Sequence, residues 1–273
     1  MIPRPGEVSV LGIGLLCPAG IGTAGAGLAR PGAVPGFLPQ AWVANRKNLK
    51  LMARSVQLGM AAVGMAVGTF PALADVPPHR RAFYTGSNPL AGDFDDLRPA
   101  LEEATDPGGR FELGRFARAG IPLIHPLWLV KGLSNNVLGF ASAQHDFQGP
   151  NANYCHDEAS GVIALWEAAQ ALLAGQADIA LAGSADCVLG AEVLMPGRPL
   201  GEGAAFFLLA PPHVPAPWRL RLPSSAPPDP LDEASLGWLG VAGPTVHLAR
   251  AALGGRCPAT VAGAGCAVTL FTT

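Results

Sequence analysis

Residues 155–158 read Cys-His-Asp-Glu, and each of these four types can do chemistry. A thiol attacks carbonyl carbon, an imidazole moves its proton, and a carboxylate orients the imidazole or acts as a base. The spacing argues against a triad. Neighbours on one turn point in different directions, whereas triad members converge from separate segments. Taken alone, Cys155 reads as a small buried hydrophobe. The five cysteines, Cys17, Cys155, Cys187, Cys257 and Cys266, include no Cys-x-x-Cys pair. They are therefore expected to be free thiols in a reducing cytoplasm, with no metal site. No cofactor is expected either. Gly12, Gly14 and Gly20 follow an apolar run, but Gly-x-Gly-x-x-Cys departs from the dinucleotide fingerprint, and no acidic residue stands the right distance on.

Elements must hold these side chains in place, and the composition bounds what they build. The chain has 273 residues, 49% of them apolar and 14% charged, with a formal charge of −2. That charge excludes a basic nucleic-acid surface. The mean hydropathy of +0.31 raises the question of a membrane. Every apolar stretch is broken by Gly, Pro or a charge before the ~18 residues a span needs, so no transmembrane helix is expected. The opening Met1-Ile-Pro-Arg-Pro-Gly-Glu-Val has no cationic region leading into an apolar core and does not read as a signal peptide. Low charge with high apolar content points to burial on two sides, in a layered core or against a partner.

Along the chain, Val8–Leu16 reads as a buried strand, Asn48–Val67 as an amphipathic helix and Arg81–Ser87 as strand then turn. Asp93–Arg118 is polar and reads as a surface excursion. A helix is predicted over Asn136–Asp146 and ends at Gly149-Pro150. A strand follows over Asn151–Cys155, then a long helix over Ala159–Leu173, and further strands over Ala177–Ala182 and Gly203–Ala210. Pro211–Pro230 is Pro-rich and reads as a linker. Thr245–Leu253 is helical, and Ala259–Phe271 supplies one or two closing strands. This gives a half over 1–210, a linker over 211–230 and a short half over 231–273. Strands alternating with helices predict an α/β layered fold with a mostly parallel sheet.

The stretch from Asn135 to Asp186 carries Gly149-Pro150, a turn at 155–158, Gly161, Gly175-Gln-Ala-Asp178 and Ala182-Gly183-Ser184. In this order and spacing it resembles the β-ketoacyl synthases of the thiolase superfamily. The resemblance extends to Val8–Gly14, Phe83-Tyr-Thr-Gly-Ser, Arg198-Pro-Leu-Gly-Glu-Gly-Ala-Ala, Leu239-Gly-Val-Ala-Gly243 and Val261-Ala-Gly-Ala-Gly-Cys. It implies a thiolase-like αβαβα layered sandwich with a shortened C-terminal half, and an elbow that in the family carries the nucleophilic Cys at the start of a long helix.

Counted from Gly149-Pro150, that nucleophile position falls on Glu158, with Cys155 three residues earlier. A carboxylate suits the free N–H groups at a helix N-terminus, but it does not form the acyl-thioester that condensation needs. The family's His-Gly-Thr-Gly-Thr motif is absent. Ser235-Leu-Gly-Trp238 stands where its second His belongs, and Ala264 or Gly265 replaces its gating Phe. The resemblance therefore implies no catalytic residues for condensation and a non-catalytic subunit of the chain-length-factor type. Such a subunit is expected to pair with an active β-ketoacyl synthase, as a heterodimer or a dimer of heterodimers, and to shape the acyl or polyene tunnel. It would meet acyl carrier protein through its partner, as in aryl polyene pathways. The residues expected at the interface or tunnel are Asn135, Phe140, Asn153, Tyr154, Cys155 and Glu158, with Trp166 flanking and His247 and His213 structural or exposed. The alternative is an independent thioester decarboxylase or hydrolase using Glu158.

Overall fold

The computed structural model describes residues 6–22, 30–89, 92–192 and 195–273; residues 1–5, on which the leader reading rests, lie outside them. Among the described residues one sheet has nine strands: β1 Gly6–Cys17, β2 Gly20–Ile21, β3 Arg81–Gly86, β4 Asn151–Tyr154, β5 Ile179–Cys187, β6 Glu202–Ala210, β7 Trp218–Leu222, β8 Ala259–Gly263 and β9 Cys266–Thr272. Their order is β4-β3-β5-β6-β1-β7-β9-β8, with β2 paired to β1 off this path. Only the β3–β4 and β3–β5 pairings are parallel. All others are antiparallel, which corrects the expectation of a mostly parallel sheet. The reason is connectivity: β5 reaches β6 and β8 reaches β9 without a crossover helix, so these neighbours run in opposite directions.

The longer helices are α1 Arg54–Gly68, α2 Asn136–His145, α3 Ser160–Leu173 and α4 Gly243–Leu253. α1 begins later than its apolar pattern predicts, because Arg46–Leu51 forms a 3-10 turn instead. α1 and α2 cover one face, where Phe83, Leu181, Phe206 and Leu208 point. α3 and α4 cover the other, against Val10, Leu15, Tyr84, Phe207 and Leu209. Every residue of β6 is therefore buried, as its run Ala-Ala-Phe-Phe-Leu-Leu requires of a strand covered on both sides.

The expected linker supplies β7, which pairs with both β1 and β9 and extends the sheet. Leu220, Leu222, Val261, Val268 and Leu270 of this arm share one core with α3 and α4. The two helices thus lie between the main sheet and the arm, giving helix, strand, helix and strand layers. Within the arm the hydroxyls of Thr260 and Thr269 meet at 2.8 Å, and Ser224 of the Pro-rich stretch joins Thr269 at 2.5 Å.

Gly12 and Gly14 serve packing. A Cβ on Gly14 would stand 1.8 Å from the Ala62 carbonyl oxygen, and one on Gly12 1.8 Å from the Thr69 hydroxyl. They let α1 lie directly on β1, and this is the physical reason for the Gly-x-Gly pattern.

Candidate functional site

The C-terminal ends of β3 and β4, the start of α3 and the loop after β8 enclose a cavity of about 500 Å³. Glu158 lines it together with Asn88, Asp157, Asp186, Trp238 and Val261. The turn from β4 into α3 is held by its own side chains. Asp157 Oδ1 accepts from the Ala159 N–H at 2.7 Å, and the Ser160 hydroxyl donates to the Asp157 carbonyl at 2.7 Å while accepting from the His156 N–H at 2.9 Å. The carboxylate that satisfies the helix N-terminus is therefore Asp157, not Glu158 as expected. That N–H, with His156 at 3.0 Å, holds the Asp157 carboxyl below its ordinary range.

Glu158 turns the other way. Its Oε1 accepts the indole N–H of Trp238 and lies 3.8 Å from the Arg198 guanidinium. Arg198 covers the Trp238 ring at 4.5 Å and makes two bonds to Glu233, at 2.8 and 3.2 Å. The position where the resemblance would place a histidine thus holds an indole that ties up the Glu158 carboxylate.

Asp186 forms the floor of the cavity. Burial pushes its carboxyl up to about 6 despite the N–H groups of Val241 and Cys187 and the Asn88 side chain, which favour the charged form. Its Oδ2 accepts from Val241 at 3.1 Å. Gly240, at φ +53°, permits this contact, since a Cβ there would sit 2.1 Å from Asp186 Oδ2. Sequence reasoning missed Asp186, Arg198 and the part played by Trp238. The one available signal was an acid ending the otherwise apolar run Ile179–Cys187.

The expected interface residues separate into two groups. Asn153 sits in a polar knot, its Oδ1 accepting from Thr85 at 2.6 Å and Ser87 at 3.0 Å, and its Nδ2 donating to Cys155 Sγ at 3.1 Å and to the Ser134 hydroxyl at 3.4 Å. Cys155 is exposed at the end of β4 and also meets the Ser87 hydroxyl at 3.3 Å, so the reading of a buried small hydrophobe is corrected. Cys155 pairs with Asn153 and Ser87 while His156 pairs with Asp157, so the three do not line up as a triad. Tyr154 is half-buried, its hydroxyl pushed up to about 12, first by burial.

Phe140 and Asn135 belong to α2 on the opposite face of the sheet. Phe140 lines a separate cavity of about 300 Å³ with Val43, Met52 and Met60. Asn135 is exposed, and the buried amide is its neighbour Asn136, which donates to the carbonyl of Val130 at 2.7 Å. Trp166 is core, His213 is exposed, and His247 Nε2 lies 3.5 Å from Asp229. Among the other thiols, burial pushes Cys17 and Cys187 up, the latter further because of Glu202. Among the described residues no group of His, Cys, Asp and Glu is arranged to hold a metal ion.

Two features lie beside the elbow. The Phe83 N–H donates to the Pro150 carbonyl and the Ser87 N–H to that of Tyr154, so Asn151 and Asn153 turn their backbones to the open edge of β4. Among the described residues nine large apolar side chains are exposed, and eight of them lie from Leu101 to Leu133, among them Leu113 at 72% and Leu129 at 71%. Ser134, at the end of that segment, is hydrogen-bonded to Asn153 of β4.

A turn from the parallel edge strand β4 into the long helix α3 is the arrangement of a thiolase-like ketosynthase fold. Residues 117–210 match the family model for the N-terminal domain of β-ketoacyl synthase, a span that contains the elbow. The fold is similar to that of ketosynthases. No curated protein matches it. Among solved structures it is similar to the ishigamide ketosynthase/chain length factor, at 21% identity and TM-score 0.61 over 76% of this chain and 59% of that one. It is also similar to a type II polyketide-synthase ketosynthase in complex with its acyl-carrier protein and bound to the hexaketide (AntDE:AntF), at 19% identity and TM-score 0.60 over 76% and 63%. A third is the Xenorhabdus doucetiae ketosynthase ApeO in complex with its chain length factor ApeC, at 16% identity and TM-score 0.55 over 81% and 62%. The chain spans about three fifths of the length of these structures. Among the described residues no helix is long and apolar enough to cross a membrane.

Proposed function

We propose that this chain is a non-catalytic, chain-length-factor-like subunit that pairs with an active β-ketoacyl synthase and helps to shape the tunnel holding the growing acyl or polyene chain. One observation carries the reading: the elbow presents a carboxylate bonded to Trp238 and flanked by Arg198, where condensation requires a thiol that can hold an acyl group. The open edge of β4, continued by the exposed apolar side chains of 101–133, supports a partner seated against this side. The pathway, the aryl polyene type included, belongs to the same proposal, as do the two-half division at 210 and 231 and contact with acyl carrier protein through the partner.

The rival reading, a thioester decarboxylase or hydrolase working through Glu158, is disfavoured by charge. Asp157, Glu158, Asp186 and Asp229 line the cavity, and among the described residues no Lys, Arg or His lines it, Arg198 standing behind Glu158 at 3.8 Å. A malonyl carboxylate entering it would meet like charge.

The experiment is co-expression with candidate ketosynthases. A stable complex is expected, and Asn151→Pro, which removes an edge N–H without touching the bonds to β3, is expected to weaken it at least tenfold. A monodisperse monomer that ignores every candidate refutes the pairing. Within a complex, Glu158→Gln is expected to leave turnover unchanged. Lost turnover with the complex intact would favour chemistry at Glu158.

A further inference from the structure

We infer that Trp238 is the wall that seals the elbow cavity, and that Glu158 is the positioning residue holding it there. Trp238 lines both the 500 Å³ cavity and a crevice of about 20 Å³ beside it, as do Leu231 and Gly240, and its indole is the largest side chain among the three. It is fixed at every side that can be fixed. Its ring N–H is bound by Glu158, and its face is covered by Arg198 at 4.5 Å. Arg198 is held in turn by Glu233 at 2.8 Å. The backbone is tied as well, the Trp238 N–H donating to the Pro199 carbonyl at 2.7 Å and its carbonyl accepting from the Gly201 N–H at 3.0 Å.

The anchors come from different parts of the chain: the elbow, the 195–201 loop and the short helix Glu233–Leu236. An indole clamped at its N–H, its face and its backbone is a rigid wall, not a swinging gate. The size and flatness of that end of the cavity are then set by one side chain, and the acid at the elbow has a task that needs no reaction. A hydrogen bond from a neutral donor to an ionised acceptor is among the stronger kinds, which suits a carboxylate to this role.

The inference rests on reading Glu158 as non-nucleophilic. Its test uses this chain alone, so that it can fail while the pairing with a ketosynthase stands. The chain has five tryptophans and hence five indole N–H signals in a nitrogen-15 spectrum. Trp238→Phe removes one signal and assigns it. That signal is expected to move in Glu158→Gln and in Glu158→Ala while the other four stay in place. In Trp238→Gly, millimolar indole is expected to raise the melting temperature, with no effect on the parent chain. A Trp238 signal indifferent to Glu158→Ala overturns the inference, as does a folded Trp238→Gly that ignores indole. Should Trp238→Gly fail to fold, the spectra of the Phe and Ala variants decide.

Discussion

Glu202, within the Gly-Glu-Gly-Ala segment, is fully buried, and among the described residues its cationic partner is Arg54 at the start of α1. Arg54 reaches it with two bonds, at 2.8 and 2.5 Å, and the Val34 N–H adds a third at 2.8 Å. Replacing Arg54 with Met keeps the apolar stem beside Phe37, over whose ring the guanidinium lies at 4.7 Å, and removes the charge. A carboxylate then remains buried with only the neutral donors Val34 N–H and the Cys187 thiol. Breaking a buried pair in this way costs about 3–5 kcal/mol. The Arg54 side chain is 29% exposed, which places the cost at the lower end of that range. At roughly 2–4 °C per kcal/mol, the melting temperature should fall by roughly 10 °C. The double variant Arg54→Met/Glu202→Leu removes the stranded charge and should recover most of the loss, because a buried pair exchanged for apolar side chains is often near neutral. Scanning calorimetry of the two singles and the double closes the cycle. An Arg54→Met protein melting within ~2 °C of the parent, or a double variant as unstable as the worse single, would refute the reasoning.

Two further outcomes follow from the cavity floor. Burial raises the Asp186 carboxyl from 3.8 to about 6, so the folded chain holds this proton after the unfolded chain has released it. Stability should therefore fall as pH rises from about 4 to 6, by about 3 kcal/mol from this group, and level off above. Asp186→Asn should lack that slope in urea titrations, and a profile parallel to the parent's would count against the assignment. Gly240→Ala puts a Cβ against Asp186 Oδ2 at a φ of +53° and should cost about 1–3 kcal/mol or more, read as a shifted urea midpoint at unchanged slope. A neutral outcome would mean that the 240–242 turn is free to move away from β5.

Periodicity and punctuation revealed the main elements. The run Gly203–Ala210 is apolar throughout and could only be a strand covered on both faces, and Gly149-Pro150 fixed where α2 had to stop. Strand direction was not legible, since an apolar run has the same composition whether its neighbour is parallel or antiparallel. β7 was hidden for a related reason. Prolines crowd its flanks, and its Trp-Arg-Leu-Arg-Leu alternation makes sense only once β1 and β9 stand on either side to take its hydrogen bonds. At the site, it was the resemblance to the β-ketoacyl synthases, counted from Gly149-Pro150, that pointed to Glu158.

What the amino-acid order determined by itself was which side chain stands at the turn into α3, because that depends on counting along the chain. What only the tertiary structure decided was what that side chain does. Asp157 takes the Ala159 N–H at the start of α3 and leaves Glu158 to Trp238, eighty positions away, under an arginine from a third segment. Separations of that kind leave no periodic trace, since hydrogen bonds and ring contacts depend on distance in space and the chain's own pattern records only its nearest turns.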